Sequence, residues 1–94
     1  MKTTLQQLKE VAAGLRVLYA EDDSSLNASV TTYLKKFFSH VASAVDGKEG
    51  AELFEKSDEG FDIVITDIKM PKMDGLEMLE KIKKHNPSQM TMII

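Results

Sequence analysis

Residues 62–75 read Asp-Ile-Val-Ile-Thr-Asp-Ile-Lys-Met-Pro-Lys-Met-Asp-Gly, an apolar run that ends on Asp67 and then turns through Pro71 and Gly75. Ile63 to Thr66 is nearly continuous in apolar and β-branched side chains, the pattern of a strand covered on both faces, and such strands belong to parallel sheets. A carboxylate at the carboxyl end of such a strand lies on the rim where open α/β sheets place their ligands, held by a rigid element. Asp67 is therefore placed to react or to bind.

Arg16 to Ala20 and Thr91 to Ile94 repeat the strand pattern, and Val41 to Val45, with smaller side chains, reads as an edge strand. Helical spacing separates them: Leu26, Val30, Tyr33, Leu34 and Phe37 share one face, then Ala51 and Phe54, then Leu76, Leu79 and Ile82. Asp46 with Glu49 and Asp74 with Glu77 match capping boxes, while Gly60 and Asn86-Pro87 stop the chain between elements. Gly50 costs its helix about 1 kcal/mol against alanine. Thr3 to Ala13 reads as a further helix, with Thr3 and Gln6 as cap partners, Leu5, Leu8 and Val11 as its stripe and Gly14 as terminator. The order is α-β-α-β-α-β-α-β, and right-handed crossovers give an α/β doubly wound parallel sheet.

With 94 residues, 43% apolar and 29% charged, the chain suits one compact domain with a real core. A net charge of -3 with lysines and acids intermixed excludes the basic tract that nucleic-acid binding needs. Neither a run of about 18 apolar residues nor a signal-peptide pattern is present, so no membrane association is expected. The absence of cysteine fits a cytoplasmic location.

A second acidic cluster, Glu21-Asp22-Asp23, directly follows the Arg16 to Ala20 strand. If that strand neighbours the one ending at Asp67, their carboxylates converge, and like charges so crowded raise each other's pKa values unless a cation compensates. Mg²⁺, a hard ion satisfied by few protein oxygens and several waters, suits such a solvent-facing site.

The acid cluster, Asp67, Met70-Pro71 and Met73-Asp74-Gly75 together resemble, in order and spacing, the receiver domain of two-component response regulators. The resemblance covers residues 15–94 and leaves 1–14 as an N-terminal helical extension. It implies a flavodoxin-like sheet of strand order 2-1-3-4. It also implies a phosphoryl group accepted on Asp67 from a sensor histidine kinase or phosphotransfer protein, in a signalling domain rather than an enzyme. Mg²⁺ would be held by Asp22, Asp67 and the backbone carbonyl of Lys69, with Glu21 acting through water. Met70, Pro71, Asp74 and Gly75 would shape the loop. The family's serine or threonine beyond the fourth strand, its fifth strand ending in lysine and its last helices are not among these residues, so the expectation is an incomplete receiver. Its Thr91 to Ile94 edge would then serve a homo-oligomer or swapped dimer.

The alternative is an interaction module that keeps the fold without the phosphorylation switch. A phosphohydrolase of the haloacid dehalogenase class also uses an aspartyl phosphate, but needs a second aspartate where Lys69 stands. Asp23 reads as a helix cap, Asp74 as loop and cap, His40 and His85 as surface residues, and the methionines as core and loop filler.

Overall fold

The computed structural model describes residues 4–94, which form α1 (Leu5–Ala13), β1 (Arg16–Ala20), α2 (Ser24–Leu34), β2 (His40–Ala44), α3 (Gly47–Lys56), β3 (Ile63–Thr66), α4 (Gly75–His85) and β4 (Met90–Ile93). All pairings in the four-stranded sheet are parallel, in the order β2-β1-β3-β4. This is the flavodoxin-like arrangement expected. The chain leaves β1 towards one edge and returns past it to β3, so right-handed crossovers put α2 on one face and α3 and α4 on the other.

The face under α3 and α4 holds the main core: Leu18, Ala20, Ala44 and Val64 from the strands meet Ala51, Phe54, Met78, Leu79 and Ile82. Strand alternation sends Val17 and Tyr19 to the opposite face, and both are fully buried. Gly50 has a packing reason, because a Cβ there would strike the Met78 sulfur. At the far end of the sheet Arg16 lies over the Phe61 ring, 5.7 Å from its centre, and Phe61 stacks on Phe54.

Several expectations shift. β2 starts at His40 and β4 at Met90, one residue earlier than expected, although Ile94 still donates to the Thr66 carbonyl at 3.0 Å. Thr4 and Gln7 form the reciprocal cap of α1; the expected cap residue Thr3 lies outside the described residues. Gly14 ends that helix without a left-handed turn. Leu26, Tyr33 and Leu76 belong to apolar stripes in the sequence yet are exposed, because none of the described elements covers that part of either helix. α2 stops at Leu34, so Phe37 packs on Tyr33 from the following turn, with ring centres 5.3 Å apart. None of the described helices is long and apolar enough to cross a membrane.

Candidate functional site: an acidic rim around Asp67

β1 and β3 are neighbours in a register that sets Ala20 beside Thr66, so the next residues, Glu21 and Asp67, emerge side by side at the carboxyl rim. The sheet order reverses at this point, which is where open α/β sheets leave a crevice. Glu21, Asp22 and Asp67 each bring a carboxylate oxygen within 4.8 Å of the others. The convergence expected from the sequence is therefore present.

The three acids differ in setting. Glu21 is only 3% exposed, and its Oε2 accepts the Asp23 N–H at 3.0 Å. Burial pushes the Glu21 pKa up, as do the Asp22 side chain bonded to it and the charge of Asp67, against the lowering effect of the Asp23 N–H. Asp22 is exposed and Asp67 half-buried. Asp67 Oδ1 accepts the N–H of Ile68 at 2.7 Å, which fixes the rotation of its carboxylate. Among the described residues, no ion pair involves any of the three acids. Three unpaired carboxylates, one of them buried, form an oxygen-only donor set that fits a hard divalent cation.

The loop after Asp67 is braced rather than loose. The Thr66 hydroxyl donates to the Asp67 carbonyl at 2.8 Å, and Gly75 N–H donates to the Ile68 carbonyl at 2.7 Å. A Cβ on Gly75 would fall on the Asp67 carbonyl oxygen, and one on Gly47 would fall on the Met73 carbonyl, which instead accepts the Gly47 N–H at 2.9 Å. Met70 and Met73 are half-buried against the core, while Pro71 is exposed. Asp74 caps α4 by accepting the Glu77 N–H at 2.9 Å. Lys69 is exposed, and no described residue donates to its carbonyl oxygen.

Asp23 caps α2 through the Leu26 N–H at 2.9 Å and takes no place among the three converging acids. His40 is exposed, and His85 lies 3.3 Å from Glu55. Several participants carry no sequence signal strong enough to find them. The Asn27 side chain, buried, donates to both the Glu21 and Ala44 carbonyls and ties the acidic turn to β2; a polar residue beside the apolar stripe of α2 was the only hint. Lys72 adopts a left-handed backbone, φ 68°, and its ammonium lies 3.8 Å from Asp46. Tyr19, two residues before Glu21 on the same sheet face, buries a hydroxyl that has no hydrogen-bond partner among the described residues.

The family model described as the response regulator receiver domain matches residues 17–94. Among curated proteins, the two-component response regulator ARR10 of Arabidopsis thaliana is 32% identical over 82 residues, which make up 87% of this chain and 15% of that protein. Among solved structures, the N-terminal domain of an uncharacterized protein from Wolinella succinogenes superposes with a TM-score of 0.80 at 40% identity, covering 86% of this chain and 64% of that one. The CheX-CheY-BeF3-Mg²⁺ complex from Borrelia burgdorferi gives 0.79 at 26% identity, covering 89% and 63%.

Proposed function

The chain belongs to the response regulator receiver family, and on that premise we propose that it is a phosphoacceptor of two-component signalling that takes a phosphoryl group on Asp67. The observation that carries this reading is the meeting of Asp67 with Glu21 and Asp22 on one rim, with the Asp67 carboxylate already oriented by the Ile68 N–H. Asp22, Asp67 and the Lys69 carbonyl, with Glu21 through water, would hold Mg²⁺. When bound, that ion neutralises charge on the transferring group and keeps the carboxylates ionised.

The chain's own part is positioning. With Oδ1 held, Oδ2 is the oxygen left to attack phosphorus in line. The new P–O bond forms as the P–N bond to the donor imidazole breaks, and its electron pair returns to that ring. Buried Glu21 supplies negative charge that no lysine or arginine among the described residues pairs with, so the site favours a cation before it admits an anionic donor. No separate substrate is turned over, which makes this a switch rather than an enzyme.

The donor in this reading is a sensor histidine kinase or phosphotransfer protein in the cytoplasm, with no part for nucleic acid or membrane. Residues 15–94 form the receiver portion, and 1–14 are an N-terminal extension that carries α1 (Leu5–Ala13). The test is amide NMR during addition of Mg²⁺ and then beryllium fluoride, with shifts expected at residues 21, 22 and 67–69. A folded chain indifferent to both additions would reject the switch in favour of the interaction module.

A further inference from the structure

Asn27 lies one turn into α2 and is only 8% exposed, and every polar atom of its side chain is engaged. Its amide nitrogen donates to the Glu21 carbonyl at 2.9 Å and to the Ala44 carbonyl at 3.0 Å, while its amide oxygen accepts the Thr31 hydroxyl at 3.2 Å. Carbonyl oxygens only accept, so no other orientation of the amide serves both. The Ala44 carbonyl also takes the Glu21 N–H at 3.0 Å. Glu21 is thus held at its N–H by the end of β2 and at its carbonyl by Asn27. That carbonyl belongs to the planar peptide joining Glu21 to Asp22, so holding it fixes the direction in which both acids leave the backbone.

We propose that Asn27 is a positioning residue that gives the acidic rim its preference for Mg²⁺ over Ca²⁺. The helix itself does not require an amide here: Asp23 already caps α2 through the Leu26 N–H, and asparagine is a poorer helix former than leucine or alanine. What the amide serves is the turn between β1 and α2. Asp67, the third acid, is anchored separately, its N–H donating to the Ala20 carbonyl at 3.3 Å and its Oδ1 accepting the Ile68 N–H. Asn27 therefore sets the spacing of Glu21 and Asp22 against a carboxylate that is fixed from another strand.

Spacing is what separates the two ions. Mg²⁺ requires near-octahedral oxygens at about 2.0–2.1 Å, whereas Ca²⁺ accepts irregular sets of oxygens at about 2.3–2.6 Å. A turn pinned at both ends of Glu21 keeps the three acids within 4.8 Å of one another and suits the smaller, more exacting ion. Freed of the amide, the turn lets the carboxylates spread, which weakens Mg²⁺ binding more than Ca²⁺ binding. This inference rests on the Mg²⁺ site proposed above and concerns which ion that site selects.

Calorimetric titration of Mg²⁺ and, separately, Ca²⁺ into the unmodified chain, Asn27→Leu and Asn27→Ser tests it, with Ile82→Val as a core variant that takes no part in the rim. Leucine keeps the bulk of the side chain without its donors, and serine leaves room for water. Each Asn27 variant is expected to raise the Mg²⁺ Kd about tenfold and the Ca²⁺ Kd less than about threefold, so the preference for Mg²⁺ falls at least about threefold. Ile82→Val is expected to leave that ratio unchanged. The ratio separates positioning from a merely structural role, which would lower the urea midpoint and leave the preference as it was. An unchanged ratio in whichever Asn27 variant folds, or an equal fall in Ile82→Val, would overturn the role of Asn27 and leave the metal site standing. A folded, unmodified chain that binds neither ion would overturn the site and this role with it.

Discussion

Gly75 packs against the Asp67 carbonyl oxygen so closely that no Cβ fits between them. The first turn of α4 is thereby locked to the backbone of Asp67, the proposed phosphoacceptor. Gly75→Ala would raise helix propensity by at most about 1 kcal/mol, whereas forcing a methyl into packed backbone costs about 1–3 kcal/mol. The clash wins because its partner is main chain. Urea unfolding is expected to show net destabilisation together with slower labelling at Asp67; unchanged stability would mean that the loop yields freely.

Asp22→Ala should weaken Mg²⁺ binding by about tenfold or more, the scale on which loss of a single site residue acts. Asp22 is exposed, so the fold should be little changed. Titration calorimetry measures the affinity, and an unaltered value would remove Asp22 from the metal site.

Glu21 has a pKa above its ordinary 4.5, chiefly through burial. The folded state therefore holds the Glu21 proton more tightly than the unfolded chain. Its contribution to stability is complete below pH 4.5 and is lost as pH rises through the raised value. In EDTA, the stability of the unmodified chain relative to Glu21→Gln should fall across that window and level off above it, and Mg²⁺ should flatten the fall. A difference that rises with pH would contradict the sign.

Tyr19 buries a hydroxyl with no partner among the described residues, and burial, with the charges of Glu21 and Asp67, raises its pKa. An unsatisfied buried polar group costs about 1–3 kcal/mol, so Tyr19→Phe should stabilise the protein by about 1 kcal/mol. A shift of the urea midpoint to higher concentration checks this. Destabilisation would reveal a hydrogen bond from that hydroxyl.

The strands and the acidic rim were legible because both follow from short-range pattern. β1 and β3 are uninterrupted apolar runs, and their terminal acids meet once the two strands are adjacent. Periodicity reports which side chains share a face and not what covers that face, so Leu26, Tyr33 and Leu76 were placed in stripes that the fold leaves exposed. Gly50 read as a weakness in its helix, because nothing local announces the Met78 sulfur above it. The left-handed Lys72, the Asn27 bridge and the orphaned Tyr19 hydroxyl depend on contacts between distant segments, which composition and spacing do not encode.

Intact mass spectrometry after incubation with acetyl phosphate and Mg²⁺ tests the central claim most directly, with Asp67→Asn as the comparison. The account predicts a single phosphoryl adduct on the unmodified chain and none on Asp67→Asn, whose fold should be retained or stabilised as carboxylate crowding is relieved. An adduct that persists at the same rate in Asp67→Asn, or no adduct on a chain shown to be folded, would contradict it.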